Sequence, residues 1–213
     1  MSNFEYIISS LPFLTADYRY DEGRGFGSVI DEIKDNLSEK DTEALDFFLS
    51  GFDQENLGAP FYEKALKHPV KFIRAWFAFD LNLRNAKVRY LNRQLGRPEG
   101  QDVLTGEGED YNGDVDLMRF RAGEFEEAVK VDFVLDQEDL LTREKGLDDI
   151  CWQKADSLAM LHWFDLTAVL SYVAKLHIVD RWLALDENAG RELFKKLVKE
   201  VKGTFKGVEY NQQ

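Results

Sequence analysis

Apolar residues in this chain recur mostly at helical spacing. Between residues 69 and 96 one stripe runs Phe72, Trp76, Phe79, Leu83, Ala86 and Tyr90, in steps of four and three. A second runs Ile73, Phe77, Leu81, Val88, Leu91 and Leu95. Two stripes on one helix predict burial on two sides, so this segment reads as the spine of a helical domain. Pro69 suits a first-turn position and Gly96 a stop just past the end. At 1.5 Å per residue the helix is roughly 40 Å long. A second very long helix is expected over 148–185, with Leu166, Val169, Val173, Leu176 and Leu183 as its stripe.

Shorter elements surround these two. Residues 5–11 (EYIISSL), bounded by Pro12, are the one strand candidate near the start. Ser28 is a candidate cap for a helix reaching Leu37. Ser38 is a candidate cap for the next, with Asp41 in its first turn and Gly51 as its stop. Residues 61–67 read as a short helix. Residues 115–135 read as a helix with Leu117, Phe120, Phe125, Val129 and Phe133 inward. A short helix is expected over 136–145, capped by Asp136 and stopped by Gly146, and an amphipathic one over 187–202. The break at 97–114, with Pro98, four glycines and an acidic cluster, divides the chain. The expected organisation is an N-terminal helical subdomain (1–98), an acidic glycine-rich loop (99–114) and a C-terminal helical subdomain (115–213). The expected fold is all-α, a helical bundle of two degenerate repeats with two long core helices and at most a short N-terminal strand.

Composition narrows the partners. The 213 residues are 44% hydrophobic and 13% aromatic, ample for a packed core. The net charge of −13 argues against nucleic acid and against anionic lipid. One cysteine, Cys151, rules out a disulfide framework within the chain and suits a cytoplasmic setting. The N-terminus lacks the basic region of a signal peptide. Residues 157–174 approach the length of a bilayer span, but Asp165 in their middle favours a buried core helix. No direct membrane insertion is expected.

Candidate chemistry is sparse. The three histidines, His68, His162 and His177, fit no metal-binding helix motif. His162 and Asp165 share a helical face and read as a polar contact. Asp110, Asn112, Asp114 and Asp116 superficially resemble a calcium loop, but Val115 and Arg121 stand where glycine and glutamate are needed. Gly23, Gly25 and Gly27 lack the βαβ context of a dinucleotide site. No catalytic residue, cofactor or metal is expected, and the chain is read as a non-enzyme. Two basic clusters remain. Arg84, Lys87, Arg89, Arg93 and Arg97 lie along the first long helix and its exit. Arg191, Lys195, Lys196, Lys199, Lys202 and Lys206 lie on the last helix. From these, Arg84, Arg89, Arg93, Arg97, Lys195, Lys199 and Lys202 are the candidate protein-interaction residues.

The stretch Asp80-Leu81-Asn82-Leu83-Arg84-Asn85, with the exit Arg93-Gln94-Leu95-Gly96-Arg97-Pro98, resembles a core-helix pattern of the C-type (d-type) subunits of V/A-type rotary ATPases. Val169-Leu170-Ser171-Tyr172-Val173-Ala174-Lys175-Leu176 is similar to the start of another core helix of that family. Tyr6-Ile7-Ile8-Ser9-Ser10-Leu11-Pro12 resembles an uncharacterised bacterial family encoded in V-type ATPase operons, itself like a reduced C-type subunit. Asp180-Arg181 departs from the pattern of a second repeat, and the chain has room for about two repeats where the C-type subunits have three. The resemblance implies a non-catalytic adaptor between the central stalk and the membrane rotor ring, supporting proton or sodium transport. Its partners would be the other V-type ATPase subunits, and it would be cytoplasmic, peripheral to the inner membrane through the complex. The alternative is a free-standing helical protein, regulatory or holding a small ligand between its helices.

Overall fold

The computed structural model describes residues 2–18, 25–104 and 125–184. These form eight α-helices and one short 3-10 turn (Gln54–Asn56), and among the described residues there is no strand. The all-α reading holds, and the strand expected at 5–11 is corrected. That segment is α1 (Phe4–Ser10), capped by the Asn3 side chain, which accepts from the Tyr6 N–H at 3.2 Å. The β-branched pair Ile7-Ile8 looked strand-like. Phe4, Ile7, Ile8 and Leu11 nevertheless stand at helical spacing, and they pack on the main core. Leu11, before Pro12, is extended and ends the helix.

α2 (Phe26–Asp35) buries Val29, Ile30 and Ile33 and is preceded by Gly25; Ser28 lies inside its first turn rather than at the cap. α3 (Glu39–Ser50) follows the expected caps. Ser38 Oγ accepts from the Asp41 N–H, and Gly51 closes the helix. α4 (Ala59–Lys67) carries Pro60 in its first turn. α5 (Lys71–Gln94) is the long spine. All six residues of its first stripe are buried, as are Ile73, Phe77 and Leu81 of the second. Leu91 and Leu95 near its end are exposed. Gly96 adopts φ +64°, the left-handed turn expected of a helix stop.

After α5 the chain folds back on it. The Asn92 side chain donates to the carbonyls of Glu99 and Gln101, and Asn85 pairs in both directions with the Leu104 backbone, at 2.9 and 3.0 Å. Both asparagines are buried and satisfied this way. α6 (Ala128–Leu135) buries Val131 and Leu135, whereas Val129 and Phe133, expected inward, are exposed. Leu117, Phe120, the calcium-like acidic run and the 187–202 helix lie outside the described residues.

The second long helix is also corrected. α7 (Leu140–Ala159) begins at the Asp139 cap, runs straight through Gly146, and ends near Ala159. α8 (Leu166–Ala184) starts afresh. Asp165 makes the break: its Oδ1 accepts from the Ala168 N–H at 3.0 Å, and its carbonyl accepts from Val169. A cap competes with continuation of the helix because the side chain replaces an intrahelical acceptor. The two helices pair antiparallel, pinned by the Ser171 hydroxyl donating to the Ala155 carbonyl at 2.9 Å. Gly146 does not stop α7, because it is a contact point: a Cβ there would lie 2.7 Å from Val134 Cγ1 of α6.

α8 packs on α1, α2, α3 and α7, while α5 packs on α4, α6 and α7. One apolar cluster joins residues from Ile7 to Leu176, and a second joins the α5, α6 and α7 faces. No described helix is long and apolar enough to cross a membrane.

Candidate functional site

Polar side chains interrupt the helix packing where α5, α7 and α8 converge. A cavity of about 360 Å³ opens there, with Trp76, Leu83 and Phe52 among its apolar lining. Each helix presents one face to it at steps of three and four: Asp80, Arg84 and Lys87 from α5, Glu144, Asp148 and Cys151 from α7, His177 and Arg181 from α8. Helical periodicity brings this set together, but only the tertiary packing aims the three faces at one space.

Two charge pairs organise the walls. Asp80 Oδ2 accepts from the buried Tyr62 hydroxyl at 2.5 Å and from Arg84 Nε at 3.0 Å. Burial, with the Asp80 charge beside it, pushes the Tyr62 hydroxyl far above its ordinary value, so it stays a donor. Asp148 is 6% exposed, and its Oδ2 accepts from the Arg181 guanidinium and from Trp182 Nε1, the latter at 2.6 Å. Burial raises the Asp148 carboxyl above its ordinary value, and Arg181 and Trp182 offset part of that. Behind this pair Tyr18, at φ +60°, stacks on Trp182 and donates to Asp149 Oδ1 at 2.5 Å.

Burial sets the protonation state of the remaining groups. Burial, with Asp148 nearby, pushes the Cys151 thiol up to about 12, so it carries no thiolate at neutral pH. His177 lies flat on Phe52, ring centroids 4.0 Å apart, and burial followed by the Arg181 charge lowers its pKa. Among the described residues no three His, Cys, Asp or Glu side chains are grouped to hold a metal.

The candidate interaction residues on α5 separate. Arg84 faces the cavity and is bound to Asp80. Arg89 is half-buried, with its pKa lowered by burial and held back up by Asp132 and Glu99. Arg93 is exposed and lies 3.9 Å from Asp132, and Arg97 is exposed past the helix end. Lys195, Lys199 and Lys202 lie outside the described residues.

A second feature escaped sequence reading. In the α7–α8 connection Met160, Leu161, Trp163 and Phe164 are 57–80% exposed, and Phe13 beside them is 83% exposed. Met160, Trp163 and Phe13 among them border a surface hollow of about 470 Å³ walled by α1, α7 and α8. His162 and Asp165 meet here at 2.5 Å, in the turn and exposed, not on one helix face. The available signal was Asp165 before Leu166, a cap ahead of a periodic run.

No curated protein and no solved structure significantly matches the chain. A family model described as protein of unknown function (DUF2764) matches residues 53–204, a stretch that includes α4 to α8 and most of the cavity wall. The match covers well over half of the sequence, and the chain belongs to this family.

Proposed function

We propose that this chain is a non-catalytic structural subunit of a V-type rotary ATPase, an adaptor between the central stalk and the membrane rotor ring. In that role it supports proton or sodium transport and is held at the inner membrane, on its cytoplasmic side, through the complex. The observation that carries the reading is the apolar end formed by Met160, Leu161, Trp163, Phe164 and Phe13. Large exposed apolar side chains gathered in one connection mark a docking site, and Trp is prominent among residues that dominate interfaces. The resemblance of residues 80–85 and 93–98 to the C-type ATPase family supplies the identity of the partners. Exposed Arg93 and Arg97 add a basic margin that suits an acidic partner surface.

The test is co-purification of the tagged chain with the stalk and ring proteins from cells assembling the ATPase. The wild-type chain should retain them, and a Trp163→Ser, Phe164→Ser variant should lose them. A wild-type chain that brings down no ATPase component overturns the proposal. A second reading, a free-standing helical ligand-binding or regulatory protein, is favoured by one observation, the polar cavity between α5, α7 and α8.

A further inference from the structure

Counting charges around the cavity leaves two groups over. Asp80 is paired with Arg84 and Asp148 with Arg181. Lys87 on α5 and Glu144 on α7 line the same cavity, yet among the described residues neither forms an ion pair or hydrogen bond, with the other or with any third group. Both are half-buried. Each acts on the wall between them: Glu144 raises the Asp148 carboxyl and Lys87 lowers the Cys151 thiol. One uncommitted ammonium and one uncommitted carboxylate thus line the same partly open cavity of about 360 Å³ without closing on each other.

We infer that this cavity binds a small zwitterion, a molecule with a carboxylate and an ammonium on a short apolar frame. The carboxylate meets Lys87, the ammonium meets Glu144, and the frame lies over Trp76 and Leu83. The size is at the small end of ligand pockets, which run from roughly 300 to 1,000 Å³. A simple anion satisfies Lys87 but desolvates Glu144 without a partner, and a simple cation does the reverse. Stripping water from the second charge without giving it a partner offsets what the single new contact returns. A polyphosphate brings several negative charges to a site with one uncommitted ammonium, and Glu144 repels it. The inference stands whether or not the chain is an ATPase adaptor, because it uses neither the apolar end nor the exposed arginines.

The experiment is isothermal titration of the full chain with β-alanine, aminobutyrate and aminohexanoate, and with hexanoate and hexylamine as single-charge controls. At least one ω-amino acid should bind about tenfold or more tighter than either control. Lys87→Met and Glu144→Gln should each weaken that binding by about tenfold while the thermal melt stays in place. The reversed pair, Lys87→Glu with Glu144→Lys, should regain binding, which a purely structural role for either side chain does not produce. No binding of any ω-amino acid, equal binding of hexanoate or hexylamine, or unchanged binding in either single variant overturns the inference.

Discussion

Asp148 anchors one of the two charge pairs of the cavity wall. It is almost fully buried, and it is the shared acceptor for Arg181 and Trp182. Asp148→Ala removes that acceptor from two donors and should cost about 1–3 kcal/mol in denaturant unfolding. Asp148→Asn keeps an acceptor and sheds a desolvated charge, so its loss should be the smaller of the two. His68 and His177 both contribute to the acid side of the stability profile. Burial, then the neighbouring Arg181, lowers His177, and burial, then Arg74, lowers His68, whose Nδ1 accepts from the Val70 N–H at 3.2 Å. Below the ordinary value of 6.5 the unfolded chain binds protons at both positions before the folded chain does. Stability is therefore present above that pH and is lost as the pH falls through it toward the folded values. The slope is at most about 1.4 kcal/mol per pH unit for each proton. His177→Phe keeps an aromatic ring against Phe52 and should flatten this acid-side slope when unfolding is measured across the window. An unchanged slope refutes the assignment.

At the scale of the helix, Gly146 shows why a residue that commonly ends helices sits in the middle of one. Its missing Cβ lets α7 approach α6 at Val134. Alanine there gains about 1 kcal/mol of helix propensity but collides with a stiff, β-branched neighbour. Gly146→Ala should therefore be destabilising alone, and Val134→Ala should relieve the collision. A double-mutant cycle should give a coupling of about 1 kcal/mol or more in the rescuing direction, and additivity would refute the contact. The same element marks the limit of pattern reading. A stretch from Leu140 to Ala184 without proline reads as two helices divided at the wrong place, because Gly146 looks like a stop and Asp165 like a polar contact inside one continuous core helix. The physical order is the reverse: Gly146 is a packing contact and Asp165 a cap.

For the whole molecule, the apolar end and the exposed arginines should behave as surface. Trp163→Ser with Phe164→Ser should leave the melting temperature within a few degrees of wild type, since both side chains are more than half exposed and carry little of the core. Charge reversal at Arg93 and Arg97 should slow association with an acidic partner, weaken with added salt, and cost about 1 kcal/mol or less of fold stability. A surface-plasmon comparison of association rates at low and high salt checks this. Equal rates for wild type and the reversed variant remove these arginines from the interface. Arg84 does not belong in that experiment, because reversing it breaks the pair with Asp80 inside the cavity.

The apolar pattern and the capping residues by themselves determined that the chain is helical, that one long spine helix lies between Pro69 and Gly96, and that Ser38 and Gly51 bound α3, because these follow from local periodicity and capping within one or two turns; the structure starts the spine at Lys71, just past Pro69. The sequence by itself also exposed the cationic character of α5. Only the tertiary structure decided that α1 is a helix, since among the described residues the β-branched pair has no strand to join and its apolar side chains reach the core at helical spacing. Only the packing turned Arg84 inward and left Arg93 and Arg97 outside. The cavity was invisible in sequence for the same reason: its walls come from residues 51 to 181, and their convergence depends on where three helices cross, not on spacing within any one of them.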